Sequence, residues 1–294
     1  VSSLRDRPAD EPLFGSWAQD VAEDQGREAA FRWLTLSDEP EAAGLRAALE
    51  RGFAQAGHSA DVLAKGLAHE RWGQHAGARA HLLTLALLAH LDLQITSEPE
   101  LGPKSPDILA ARDGAQALLE VRSLTGCGEE PWTRTPGVTR PRRQAPRSGR
   151  RSSREKDQRR RAREAAVERA AAAAVNARDL RRSVADAVTT KVDAYAQLVT
   201  LPFVVVLYED TDHQLAELVG DWGPGDGKEP GAWERAVGRF APLSAVLVLG
   251  RELDEDGACL LRAEGVVNGG AKRPLPADLV PLHLAPTRLV APGP

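Results

Sequence analysis

The chain has 294 residues, 42% of them hydrophobic and 27% charged, with two cysteines and a formal net charge of −4. That apolar content suffices for one large core or two smaller ones, and no run of roughly eighteen apolar residues is present, so no helical membrane span is expected. The N-terminal VSSLRDRPADEP is polar with no apolar core of a signal peptide, and Cys127 and Cys259 lack CxxC or Cys/His ligand spacing, so a cytoplasmic protein with free thiols is expected.

Residues 1–60 mix Ala, Glu and Arg with scattered aromatics (Phe14, Trp17, Phe31, Trp33, Phe53), broken by Pro8, Pro12 and Pro40. Trp17 with Val21, then Ala29 to Leu36 and Ala42 to Ala54, follow helical spacing and predict short amphipathic helices forming an N-terminal helical region. Nothing catalytic is legible there. From Asp61 to Leu93 the pattern predicts helix throughout, and HLLTLALLAHL is apolar nearly all round, as a helix buried against a sheet would be. His69, His75, His81 and His90 lie along this stretch, but the first three recur every six residues and spread around a helix rather than forming an i, i+4 metal pair.

A first strand is expected at DLQIT, near Leu93 to Thr96, followed by the loop SEPELGPKSPD. The stretch Ser105 to Ser123, SPDILAARDGAQALLEVRS, then reads as a β-hairpin, two apolar runs joined by Asp113-Gly114. Asp107 stands just before its first strand, and Glu120 interrupts its second. A carboxylate inside a buried strand is expensive unless a cation meets it. An Asp and a Glu at the same end of a hairpin, with a cationic residue two positions after the Glu on the same strand face, can hold a divalent metal and a phosphate.

Thr125 to Ser153 is rich in Gly, Pro, Ser and Arg with almost no aliphatic residues, the composition of a disordered insertion. Between Arg134 and Arg163, twelve Arg and one Lys stand against Glu155 and Asp157, an excess of about +11 that leaves about −15 for the rest of the chain. Arg154 to about Val199 lacks Pro and Gly and predicts a long helix, basic and solvated in its first half. In its second half Val184, Val188, Val192, Tyr195 and Val199 recur at three and four, a face that docks on a sheet. PFVVVLYED at 202–210 and LSAVLVLG at 243–250 predict strands, with another at Ala258 to Val267 and a short helix near Trp233 to Phe240. Gly225 and Gly227 resemble half of a phosphate loop but lack a following Gly-Lys-Ser/Thr. From Leu279 a Pro-punctuated tail is expected.

Pro106-Asp107, the hairpin, and Glu120-Val121-Arg122 resemble the Pro-Asp and acidic-X-Lys pattern of the PD-(D/E)XK nuclease superfamily, with Arg where the family has Lys. Superfamily members commonly follow that strand with a helix bearing Lys and Tyr and then an apolar strand; here Lys191 and Tyr195 precede 202–210. The resemblance covers about residues 70–125 and 184–250. It implies an α/β fold with a restriction-endonuclease-like core, a central mixed sheet flanked by helices. Residues 61–124 and 184–294 would supply the two halves of that core, residues 1–60 a helical N-terminal region, and residues 125–183 a disordered basic insertion with its basic helix. It also implies metal-dependent hydrolysis of DNA phosphodiesters. Asp107, Glu120 and the carbonyl of Val121 would ligate Mg²⁺ or Mn²⁺, and Arg122 would hold a phosphate oxygen by paired hydrogen bonds. Lys191 would supply the amine missing at position 122, because an Arg stays charged and cannot help activate water. In relatives the first core helix can send an acidic or His residue toward the site, which makes Glu70 or His81 an accessory candidate.

Arg142, Arg143, Arg150, Arg151, Arg159, Arg160 and Arg161 would track a nucleic-acid backbone by counterion release without reading bases. Competing readings are a Glu120 that simply pairs with Arg122 or Arg112, a basic run that is only a linker, and a degenerate nuclease fold that binds nucleic acid or a protein partner without cleavage.

Overall fold

The computed structural model describes residues 6–23, 29–100, 105–124, 184–195, 200–209, 239–254 and 259–288. All of them belong to one unit of the chain, Val1–Thr125 with Val184–Pro294. The whole of the expected insertion, the basic half of the helix after it, the Gly225 and Gly227 loop and the helix near Trp233 lie outside the described residues.

The N-terminal spacing yields helices α1 (Ser16–Ala22), α2 (Ala29–Leu36) and α3 (Pro40–Phe53). Pro40 opens α3, where a missing N–H costs nothing, and Glu41 and Arg51 complement the dipole at its two ends. The single helix expected over 61–93 is two, α4 (Ala60–Leu67) and α5 (Trp72–His90). Neither Pro nor Gly marks the break at 68–71. It is held instead by local bonds, Ala68 N–H to Ala64 O at 3.0 Å and Arg71 N–H to His69 Nδ1 at 3.0 Å.

Helix α5 is buried nearly all round because it lies between two layers. It touches α3 and α4 on one side, and on the other the strands β1 (Gln94–Ser97), β3 (Ala115–Ser123) and β4 (Phe203–Glu209). Gly52 permits this layering, since a Cβ there would collide with the Leu82 carbonyl. One continuous core joins Trp17, Phe31, Leu45 and Leu49 of the N-terminal helices to Leu82, Leu85 and Leu88 of α5 and to Leu119, Val204, Val206 and Leu247 of the sheet.

The sheet has seven strands in chain order, completed by β2 (Ile108–Arg112), β5 (Ala245–Leu253), β6 (Cys259–Val267) and β7 (His283–Arg288). Strands β1, β2 and β3 form an antiparallel meander, β3, β4 and β5 run parallel, and β5, β6 and β7 are antiparallel. Strand β4 is buried at every residue, as a parallel strand covered on both faces must be. The hairpin turn falls on Asp113 (φ 50°) and Gly114 (φ 82°), the left-handed pair that a two-residue hairpin loop requires.

A further helical stretch, 184–195 (α6), covers the sheet face opposite α5. Its Val184, Val188, Val192 and Tyr195 are buried, and Tyr195 lies 5.6 Å from the ring of Phe203. The expected tail from Leu279 is in part a strand. Strand β7 forms the sheet edge, with Pro286 tolerated there and a register shift at Leu261/Ala263 in its partner.

Candidate functional site

The site forms where β2 and β3 part. Their ladder runs from Arg112 opposite Ala115 to Ile108 opposite Leu119. Pro106, with no N–H to donate, cannot extend it. Side chains take over at that point: the Asp107 N–H donates to Glu120 Oε2 at 3.2 Å, and the Val121 N–H donates to Asp107 Oδ2 at 2.6 Å. The two carboxyl groups are thereby locked across the mouth of the hairpin. Glu120 is 2% exposed.

The compensating charge comes from far along the chain. Lys191 Nζ donates to Glu120 Oε1 in an ion pair in which the Lys191 side chain retains 20% exposure. One helical turn on, Tyr195 donates its hydroxyl to the Ser105 carbonyl at 3.0 Å, which pins the strand leading to Asp107. The i, i+4 spacing of Lys191 and Tyr195 thus places both on the helix face toward the hairpin.

Two acids served by one ammonium remain strained electrostatically. Burial raises the pKa of Asp107, opposed by the Val121 N–H bond and Lys191 and reinforced by Glu98. Burial and then the charge of Asp107 raise that of Glu120, with Lys191 opposing. Burial and the same two carboxylates push the Tyr195 phenol up, so it remains a hydroxyl donor.

Two further groups interact with the pair electrostatically. His81 of α5 is 7% exposed, and its Nε2 has no hydrogen-bond partner among the described residues. Burial lowers its pKa to about 4 against the pull of Glu98 and Glu120, so the ring is neutral. Glu98, immediately after β1, faces Asp107 across the strand pair, its N–H donating to the Asp107 carbonyl at 2.8 Å. Sequence reasoning missed Glu98. The signal available was an acid directly before Pro99 in the loop that leads to Pro106-Asp107.

Arg122 is exposed on β3 and has no ion-pair partner among the described residues. The simple pairing of Glu120 with Arg122 or Arg112 is not what the chain adopts. Arg112 instead binds the Leu91 and Asp278 carbonyls, and Glu120 takes Lys191. Glu70 is exposed in the turn before α5, away from the helix body that carries His81. His75 is buried, with Nδ1 2.5 Å from the Leu67 carbonyl and its ring stacked on Trp72, which makes it a core residue. Arg142, Arg143, Arg150, Arg151, Arg159, Arg160 and Arg161 lie outside the described residues, as do Cys127 and the side chain of Cys259.

Among the described residues no group of three or more His, Cys, Asp and Glu is placed to hold a metal ion, and no helix is long and apolar enough to cross a membrane. Comparison with protein-family models, with curated proteins and with solved structures finds no match.

Proposed function

We propose that the chain is a metal-dependent phosphodiesterase acting on nucleic acid, DNA in the first instance, with a restriction-endonuclease-like core. The order of elements supports the fold part of this reading: helix α5, the antiparallel meander β1 to β3, helix α6, and β4 parallel to β3. The observation that carries the functional part is the meeting of Asp107, Glu120 and Lys191, whose residues are separated in sequence by the hairpin turn and by 71 positions.

The donor set fits a hard divalent cation. Mg²⁺ takes one or two carboxylates and keeps several waters, so the absence of a third direct ligand among the described residues is no obstacle. Two buried like charges that share one ammonium are also the arrangement a cation would relieve. Asp107, Glu120 and the Val121 carbonyl would hold Mg²⁺ or Mn²⁺, which when bound supplies polarisation of a phosphate and an acidified water.

The chain's own groups do the rest. Lys191, released from its ion pair with Glu120, would orient the attacking water through its ammonium donors, or take the water's proton only after giving its own to solvent, and Tyr195 keeps the Ser105 backbone, and hence Asp107, in place. Arg122, exposed on β3, takes a phosphate oxygen through its paired N–H donors. The arginines between 142 and 161 hold the backbone of the nucleic acid without reading its bases. A cytoplasmic location belongs to the same reading.

A second reading, a degenerate fold that binds nucleic acid or a protein partner without cleavage, is favoured by one observation: Glu120 is already neutralised by Lys191, and Arg stands at position 122. Incubation of the purified chain with supercoiled plasmid separates the two. Nicking that requires Mg²⁺ or Mn²⁺ and disappears in Asp107→Asn and Glu120→Gln supports the nuclease. A salt-sensitive DNA shift without nicking supports the binding module, and the absence of both nicking and shift removes nucleic acid from the account.

A further inference from the structure

The acid pair already holds a cation, one carried by the chain itself. Lys191 Nζ donates to Glu120 Oε1, and it is the sole cationic group among the described residues bonded to either carboxylate. The other contacts of the pair come from the backbone, with the Asp107 N–H on Glu120 Oε2 at 3.2 Å and the Val121 N–H on Asp107 Oδ2 at 2.6 Å. While the ion pair stands, the charge of Glu120 is met internally, and with its side chain 3% exposed water contributes little.

The two ends of Lys191 differ in freedom. Its backbone is fixed, because Val188 and Val192 on either side of it are buried and Tyr195, one turn on, is bonded to the Ser105 carbonyl at 3.0 Å. Its side chain is a flexible four-carbon stem that retains 20% exposure, so the ammonium has a path to water without any movement of α6. Further positive charge placed a few ångströms from that ammonium would repel it by several times the thermal energy, even at a surface-like dielectric.

We propose that Lys191 is a tethered counter-ion that occupies the charge site of Asp107 and Glu120 in the resting chain, so that a divalent cation is held only as this ammonium swings out to solvent. The inference rests on the cation site proposed above and adds that the site is self-blocked. Lys191 thus acts in two opposite senses. It weakens binding of the ion, and once displaced its ammonium is free for the water or phosphate of the reaction. A permanent structural ion pair would show neither effect.

Two measurements on the full-length chain without nucleic acid test this, at about pH 8 so that protons compete little for the carboxylates. In the first, lysines of the parent are acetylated with an N-hydroxysuccinimide ester and followed by mass spectrometry. Saturating Mg²⁺ is expected to raise the labelling rate of Lys191 severalfold, and Asp107→Asn to abolish that rise. Lys65, held to Asp6 at 2.6 Å, serves as the reference whose rate stays constant. In the second, Mn²⁺ titration followed by electron paramagnetic resonance compares the parent with Lys191→Met, which keeps the stem and removes the charge. The variant is expected to bind Mn²⁺ at least about tenfold more tightly while losing cleavage. Unchanged labelling of Lys191 in the metal-saturated parent overturns the proposal, as does Mn²⁺ affinity in folded Lys191→Met no greater than the parent's. Should that variant not fold, the labelling of the parent decides alone. A parent that binds no Mn²⁺ overturns the cation site and this proposal together, unless Lys191→Met binds it, which is the block in its strongest form.

Discussion

Two polar clusters are buried in this sheet, and they are built on opposite terms. At the start of β5, Asn268 Nδ2 donates to the Phe240 and Leu243 carbonyls at 2.9 Å each, and its Oδ1 accepts from Gly270 N–H at 3.0 Å. Ser244 Oγ accepts from Phe203 N–H at 2.8 Å and donates to the Arg273 carbonyl at 2.6 Å. Every group there is neutral and answered. At the parting of β2 and β3, by contrast, two buried carboxyls share one ammonium, and the charge of Glu98 adds to theirs. The first cluster holds loops to the sheet. The second costs stability, a cost that the charge-binding site proposed above would account for.

The sharpest way to break this contrast is to neutralise one acid. Asp107→Asn should lower metal-dependent cleavage by at least about 10²–10³-fold, the scale of losing a preorganised electrostatic contact. Its metal-free unfolding temperature should hold or rise, because a buried like-charge repulsion is gone. The mirror experiment is Asn268→Ala, which strips donors from two buried carbonyls and should cost about 2–4 kcal/mol in denaturant unfolding. Cleavage per folded molecule should be unchanged. If Asp107→Asn unfolded the chain as severely, the two clusters would be the same kind of structure.

Acid titration sharpens the comparison further. The folded pKa of His81, about 4, lies below its ordinary 6.5, so its contribution to stability is present above 6.5 and is lost as pH falls toward 4. It amounts to up to about 3 kcal/mol. Asp107 and Glu120 run in the opposite sense, because their raised folded values let the folded chain hold protons that the unfolded chain has released. In an Asp107→Asn, Glu120→Gln background, urea midpoints should therefore drop more steeply between pH 6.5 and 4 than in the parent, and His81→Leu should flatten that drop. The smallest effect belongs to Arg122→Lys. With Lys191 already at Glu120, restoring an amine at position 122 should change single-turnover cleavage by less than about tenfold, a bound on one exposed phosphate contact. Lys191→Met should cost far more.

Much of this architecture is readable from local chemistry. Asp113-Gly114 announces the hairpin, unbroken apolar runs announce β4 and β5, and the three- and four-residue spacing of Val184, Val188, Val192 and Tyr195 announces the docked face of α6. Three features escape such reasoning, each for a physical reason. The break between α4 and α5 uses backbone bonds and His69 rather than a residue type that excludes helix. Strand β7 is a half-exposed edge containing Pro286, so it shows neither apolar alternation nor an unbroken run. Glu98 meets Asp107 through a backbone bond and one unusual dihedral angle, which composition does not encode. At the site itself, Asp107 and Glu120 stand out by pattern. That Lys191 rather than Arg112 or Arg122 answers Glu120 depends on the parallel pairing of β3 with β4.

That same pairing sets a timetable. The acidic pair leaves the ribosome 71 residues ahead of the lysine that answers it, an interval of roughly 4 to 14 seconds at ordinary rates of synthesis. A nascent chain therefore carries its two carboxylates for that interval before the ammonium that neutralises Glu120 has been made.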